Sequence, residues 1–183
     1  MDKNFSKRRS DKPRERPEFD QEILDLARVT RVTKGGKQLS FRACVILGDR
    51  HGRVGLGLAK GKDVQKAVDK SVRQAKKNMI KVPIVKETIP HHVVIKFKAT
   101  AIMLKPAPRG SGIIAGGAAR AVLELAGVPN VSSKILGKTK NKIVVAKATM
   151  AALASFKRGR TVKQSFQAPV APLVSEINAI TAV

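Results

Sequence analysis

The chain has 183 residues, and its 37 Lys and Arg residues against 13 Asp and Glu leave a formal net charge of +24. A charge of this size raises self-repulsion in the folded state, and its usual compensating partner is a polyanion such as nucleic acid or an anionic membrane. No segment approaches the ~20 apolar residues of a spanning helix, and the N-terminus lacks the apolar core of a signal peptide, so a membrane is the weaker candidate. The composition therefore favours a nucleic-acid-binding protein.

The aromatic residues indicate how nucleic acid would be contacted, and the single cysteine indicates the cellular compartment. Six Phe and no Trp or Tyr leave little material for stacking on bases, so contacts to phosphates and to helix shape are favoured. The single Cys44 cannot form an internal disulfide, which fits a reducing compartment and makes the cytosol the default location.

The N-terminal segment 1–22 mixes seven basic and six acidic residues with two prolines and has no apolar periodicity, which predicts a disordered tail. The next segment, 23–82, has fifteen basic and four acidic residues, a net +11. Within it, Leu26–Thr33 is predicted as a first strand. Apolar and polar residues then alternate from Leu39 to Leu47, the period of a half-buried strand, and the turn at 48–52 leads to a returning strand over 53–58.

A helix is predicted after this sheet. Asp63 is placed to cap it, and apolar residues from Val64 to Met79 recur at helical spacing. Basic residues recur on the opposite side, a pattern that is either a solvated face or an RNA-facing one, and the shortage of acidic partners favours RNA. The members of this basic stripe are Lys62, Lys66, Lys70, Arg73 and Lys77.

A second unit is predicted over 83–166, where the folded part again carries a large positive charge. Alternation over 92–99 and the segment "TAIMLKP" predict two strands. Residues 115–126 are apolar on nearly every side and are followed by Gly127 and Pro129, which predicts a buried helix. A strand over 131–138 and a helix over 142–156, with Asn141 as its cap, complete an α+β arrangement of two small domains joined near 80–88.

The last segment, 167–183, is an apolar C-terminal extension in which Glu176 is the only charged residue. It is either disordered or a strip that docks on a neighbouring protein, and its prolines favour disorder.

The stretch "GSGIIAGGAAR" over 110–120 resembles a phosphate-binding loop ahead of a helix, which would suggest a nucleotide-dependent kinase. No GxxxxGK[ST] pattern is present, however, and the spacing also misses the dinucleotide pattern. A tight turn that lets a buried helix pack closely is the better interpretation.

Catalytic and metal-binding constellations are absent from the sequence. The second domain has only Glu87 and Glu124 as carboxylates, so a paired acid and base has no obvious source. With one cysteine, and with His91 and His92 adjacent, there is no recognisable metal-ligand spacing. We therefore expect no enzyme activity, no metal and no cofactor.

Two stretches carry a resemblance to a known family. They are "VTKGGKQLSFRACVILGDRHGRVGLGLAKGKDVQKAVDKSVRQAKKNM" and "GSGIIAGGAARAVLELAGVPNV". They closely resemble bacterial small-subunit ribosomal protein number five, the universal S-five family, and the similarity runs from about Leu26 to Phe166. The resemblance implies a double-stranded-RNA-binding-like βββα domain, followed by a βαβα domain whose left-handed βαβ-type fold is shared with some kinases but here lacks the nucleotide site.

The resemblance also implies a role and partners. The protein would be a structural constituent of the small ribosomal subunit that binds small-subunit ribosomal RNA near the joint between head and body. It would support assembly, translational accuracy and the messenger RNA entry path, with the proteins S-four and S-eight as neighbours. We expect it in the cytoplasm, within the ribosome, and we expect no homo-oligomer.

Site residues follow from matching these motifs to the sequence. The spectinomycin-associated hairpin of the family corresponds to Arg28–Lys37, and the accuracy-linked contact with S-four includes Gly112 and Arg120. Gly35 and Gly36 would let the hairpin backbone approach RNA where a Cβ would clash. The basic residues expected to neutralise phosphates are Arg28, Arg31, Lys34, Lys37, Arg53, Lys60, Lys62 and Lys66.

One alternative function uses the same RNA-binding residues outside the ribosome. A free-standing duplex-RNA-binding chaperone would share the properties of the first domain without being part of a ribosome. The family resemblance does not reach 167–183, so it implies nothing about the C-terminal extension.

Overall fold

The protein is described from a computed structural model over residues 18–156. The predicted tail up to residue 17, the last ten residues of the predicted second unit (157–166) and the C-terminal extension lie outside the described residues.

The first sheet has four antiparallel strands in the order β1-β2-β3-β4. They are β1 (Asp20–Thr33), β2 (Gly36–Gly48), β3 (Arg53–Gly61) and β4 (Met79–Lys81), and helix α1 (Val64–Lys77) connects β3 to β4. The helix buries Ala67, Ser71 and Ala75 against the sheet, and the Ser71 hydroxyl oxygen lies 2.9 Å from the carbonyls of both Ala43 and Ala67, which share its single hydrogen as acceptors.

The second sheet has four strands in the order β5-β6-β8-β7. They are β5 (Val93–Phe97), β6 (Thr100–Pro106), β7 (Ile113–Ile114) and β8 (Val131–Ile135). Helix α2 (Gly117–Ala126) lies between β7 and β8, which are parallel, and helix α3 (Lys142–Ser155) ends the described chain. Both helices pack on one face of this sheet, so the two-domain α+β prediction is confirmed.

Several local predictions agree with this structure. Helix α2 is buried as expected, and Gly127 ends it in the left-handed conformation with φ 74°. Asn141 caps α3, because its side chain accepts hydrogen bonds from the backbone of Ile143 and Val144. The basic stripe of α1 is exposed on the side opposite the sheet.

Other boundaries differ from the prediction. β1 begins at Asp20, so residues 20–22, assigned to the tail, belong to the strand and pair with the end of β2. Met79 lies in β4, not in the helix, and the short strands β4 and β7 were not predicted. Asp63 occupies the N-cap position of α1, but its side chain forms an ion pair with Lys66 at 3.0 Å instead of a capping hydrogen bond.

The second half of β2 differs most from the prediction, because it is buried on both faces. Ala43, Val45 and Leu47 face α1, as the alternation predicts. Ile46 faces the other way and joins a buried cluster with residues of α2 and α3, and Cys44 shares its face. The second domain therefore covers the sheet face that the sequence pattern left to solvent.

The turn between β2 and β3 joins the two domains through backbone hydrogen bonds. The N–H groups of Arg50 and Gly52 donate to the carbonyls of Leu125 and Ala126 at 3.1 and 3.0 Å. These are among the last carbonyls of α2, which have no partner within the helix. A Cβ on Gly48 would overlap the Leu125 backbone, and one on Gly127 would overlap the Arg50 backbone. This contact requires both glycines.

Candidate nucleic-acid interface

The β1–β2 hairpin extends beyond the rest of the first sheet. Strand β3 pairs with β2 only as far as Phe41, opposite Gly61, whereas β1 and β2 remain paired to Thr33 and Gly36. We call the two-stranded part, residues 28–41, the finger. At about 3.3 Å per residue, the five residues from Phe41 to Gly36 make it project roughly 17 Å.

The finger is exposed along most of its length. Val32 is 71% and Leu39 53% exposed, so Leu39, which the alternation assigned to the core, lies beyond the helix that would cover it. An isolated two-stranded ribbon is marginal in water. The finger therefore depends on its base, where β2 is buried on both faces.

The charge of the finger is entirely positive. No Asp or Glu occurs from Arg28 to Gly48, and the cations are distributed around the ribbon. Arg28, opposite Phe41, and Lys37, opposite Val32, lie on one face, Arg31 lies on the other, and Lys34 is in the turn. The ribbon therefore presents positive charge on both faces and at its tip.

The tip is open around its two glycines. No atom lies within 4 Å of the position that a Cβ would take on Gly35 or Gly36. Gly36 has φ 127°, a conformation that side-chain-bearing residues rarely adopt, and its carbonyl accepts a hydrogen bond from the Thr33 hydroxyl at 3.2 Å. The bare backbone at the tip is thus accessible to a ligand.

Three further predicted cations lie at the root of the finger. Lys60 is opposite Arg42 on β2, Lys62 directly follows β3, and Lys66 is in the first turn of α1. All three are exposed, although Lys66 is paired with Asp63. The structure therefore brings seven of the eight predicted phosphate-binding cations to one end of the first domain.

Arg53 is the exception. It begins β3, eight residues from Gly61, which places it roughly 26 Å from the finger root. Its guanidinium donates to the Asp49 carboxylate at 2.6 Å and lies 5.3 Å from the centre of the Phe19 ring. Arg53 is therefore part of the inter-domain turn and not of the finger cluster.

Asp49 organises that turn. Its side chain, 7% exposed, accepts hydrogen bonds from the Arg53 guanidinium and from the backbone N–H groups of His51 and Arg53 at 2.8 and 2.9 Å. Burial by itself would raise the pKa of Asp49, but these hydrogen bonds and the Arg53 charge outweigh it and lower the pKa to about 2. The carboxylate is consequently ionised at neutral pH and fixes the turn that docks on α2.

Cys44 lies at the same junction. Burial, reinforced by the nearby charge of Asp25, raises the pKa of its thiol to about 11. Since the thiolate is the reactive form, this cysteine is an inert core residue at neutral pH.

The two predicted protein-contact residues are brought together in the second domain. The Arg120 guanidinium donates a hydrogen bond to the carbonyl of Ile113 at 3.2 Å, and Ile113 directly follows Gly112 in the chain. Gly112, with φ 67°, is the last residue of the loop 107–112 that precedes β7, and the Arg120 guanidinium contacts the chain directly after this loop.

Asn130, which the sequence analysis missed, holds this loop. Its side-chain oxygen accepts from the N–H groups of Gly110 and Gly112 at 3.0 and 3.1 Å, and its side-chain nitrogen donates to the Glu87 carbonyl at 3.3 Å. Asn130 is only 5% exposed. A polar residue directly after the Gly127–Pro129 helix stop was the available sign, but sequence does not show which backbone groups it meets.

Residues 18–156 contain neither a metal site nor a membrane-spanning helix by the following criteria. No group of three or more His, Cys, Asp or Glu side chains is placed to hold a metal ion there, and no described helix is long and apolar enough to span a membrane.

Comparison with known proteins identifies the family of this chain. Residues 19–83 match the family described as "Ribosomal protein S5, N-terminal domain", and residues 95–165 match "Ribosomal protein S5, C-terminal domain". The chain belongs to the ribosomal protein S5 family. It is 49% identical over 133 residues to "Small ribosomal subunit protein uS5" of Thermotoga neapolitana and 48% identical over 133 residues to that of Thermotoga maritima. Each alignment covers 73% of this chain and 74% of the relative.

Proposed function

We propose that the finger is a principal RNA contact of this protein. As a member of the ribosomal protein S5 family, the protein is a structural and non-enzymatic constituent of the small ribosomal subunit. The observation that carries the proposal is an acid-free ribbon with exposed cations on both faces and an open glycine tip. Its partner is small-subunit ribosomal RNA. The cations neutralise phosphates, and the bare backbone of Gly35 and Gly36 enters where a side chain would not fit.

The root of the finger widens this contact. Lys60, Lys62 and Lys66 continue the positive surface from the ribbon to the start of α1, where Lys62 and Lys66 are the first members of the exposed basic stripe. With so few aromatic side chains, recognition rests on RNA shape and on the assembled context rather than on base stacking.

The loop anchored by Asn130 is the proposed contact with a neighbouring protein. Gly112 is the last residue of this loop and Arg120 contacts the next residue of the chain, and the family resemblance assigns both to the contact with S-four. By the same resemblance we propose S-eight as a second neighbour, a position near the head–body joint and the messenger RNA entry path, a part in assembly and accuracy, and a cytoplasmic ribosome.

Salt dependence of RNA binding tests the finger. The full chain with Arg31→Gln, Lys34→Gln and Lys37→Gln is titrated against small-subunit ribosomal RNA transcribed in vitro. Loss of three phosphate contacts should reduce the log–log salt slope by about 2 to 3. A matched control removes the same charge from Lys138 and Lys140, which are exposed in the segment before α3, and from Lys142, which is exposed as the first residue of α3. Equal slopes for the two variants would contradict the proposal.

Sedimentation tests whether the protein is a constituent of the small subunit or a free-standing chaperone. In a gradient of cell lysate, the protein should travel with small subunits. A protein that stays at the top of the gradient would support the chaperone.

A further inference from the structure

The outer face of the second sheet, on the side away from α2 and α3, is uncovered in the described part of the chain. Inward-pointing residues of β5, β6 and β8, such as Ile95, Leu104 and Val131, pack into the buried cluster. Their alternating neighbours point outward, and none of these belongs to that cluster. The outward residues of the four strands are Val94, Lys96, Ala101, Met103, Lys105, Ile114, Ser132 and Lys134.

This face is positive with no compensating charge. Each of the three longer strands carries one lysine, and all three lysines, Lys96, Lys105 and Lys134, point outward and are exposed. None of the four strands contains an acidic residue. Within residues 18–156 the three lysines form no ion pair, unlike Lys66 and Arg109, which do.

The pairing of the strands arranges the lysines as a triangle. Lys134 is opposite Met103, and Lys105 is two residues further along β6, a diagonal separation of about 7–8 Å. Lys96 is on β5, opposite Ala101 of β6, whereas Lys134 is on β8, on the other side of β6. The Cα atoms of Lys96 and Lys134 are therefore roughly 12 Å apart. Three flexible ammonium groups can thus meet separate phosphates across a rigid sheet.

We propose that this lysine triangle is a second RNA-backbone-binding surface, separate from the finger. The inference deepens the proposed function and rests on it. The face has no aromatic side chain, so it offers charge to a phosphate backbone but no platform for stacked bases. A second copy of the chain would place like charges against each other, and the C-terminal extension brings a single carboxylate, Glu176, to three lysines.

The test uses the full chain with Lys96→Gln, Lys105→Gln and Lys134→Gln, titrated against small-subunit ribosomal RNA over a range of salt. The log–log salt slope should fall by about 2 to 3, and Lys→Arg at the same positions should keep the slope of the unmodified protein. Thermal unfolding should be the same for both variants, because the substituted side chains are exposed. The matched control is again the variant at Lys138, Lys140 and Lys142.

A slope no smaller than that of the control would overturn the inference. If the finger variant loses slope and the triangle variant does not, the second surface is wrong and the proposed function stands. If the triangle variant loses slope and the finger variant does not, the assignment to the finger fails.

Acetylation of lysines in the free chain and in the isolated subunit tests the occupant. The triangle should be modified in the free chain and protected in the subunit, with protection lost after ribonuclease digestion. Protection that survives digestion would show a protein neighbour, and protection in the free chain that disappears on removal of residues 167–183 would show the C-terminal extension. Either result would overturn the assignment to RNA.

Discussion

The two ends of one hairpin use glycine for opposite purposes. At the tip of the finger, nothing lies within 4 Å of a Cβ built on Gly35 or Gly36. At the base, a Cβ on Gly48 would overlap the backbone of Leu125 in the second domain. The tip glycines leave a surface open, whereas the base glycine lets two domains touch backbone to backbone. The same residue type thus leaves the backbone open at one end of the hairpin and permits close contact between domains at the other.

The largest effect is expected on the second-domain side of the base. In Gly127→Ala, the new Cβ would overlap the Arg50 carbonyl, and φ 74° is unfavourable for alanine. We expect the free energy of unfolding to fall by about 3–5 kcal/mol in urea denaturation. Gly117→Ala is the control in the same helix, because nothing lies within 4 Å of its Cβ position. A change of less than about 1 kcal/mol in Gly127→Ala would show that the junction is not rigid.

A smaller effect is expected at Asp49. Its pKa is lowered to about 2 in the folded protein, so its contribution to stability is complete above the ordinary value of 3.8 and is lost as pH falls through about 2. Asp49→Asn should therefore reduce stability by about 1–2 kcal/mol at neutral pH and by little near pH 2. Thermal unfolding across this pH range measures the difference.

The control for Asp49 is Asp63→Asn, which removes an exposed ion pair with Lys66 and should cost less than about 0.5 kcal/mol. A loss at Asp49 that does not depend on pH would show that the ionised carboxylate is not the stabilising form.

A still smaller change is expected at the tip. Gly36→Ala has room for its Cβ but must adopt φ 127°, which should cost about 1 kcal/mol in urea denaturation. A cost as large as that of Gly127→Ala would contradict the distinction between tip and base.

Gly35→Val should affect stability least and binding most. The site is open and has no positive φ, so the melting temperature should stay nearly unchanged. The added isopropyl group should nevertheless weaken binding to small-subunit ribosomal RNA in the titration described above. Unchanged binding with unchanged stability would mean that RNA does not approach the tip backbone.

The sequence pattern was most informative for features that depend on residues within a single helix or strand. The apolar run of α2 predicted a buried helix, and Asn141 predicted the start of α3, because periodicity and capping are local. The charge of the finger was equally visible, since Arg28, Arg31, Lys34 and Lys37 all lie within one short stretch of sequence. Arg53 was grouped with them because a list of basic residues does not show which end of a strand each occupies.

The sequence by itself determined two α+β domains, a basic hairpin with glycines at its tip and a buried second-domain helix. Tertiary structure alone decided what covers each face. Alternation shows which side chains share a face of a strand, but not whether another domain packs against it. For this reason Cys44 and Ile46 are buried at the domain junction, while Lys96, Lys105 and Lys134 remain on a face that the described chain leaves open.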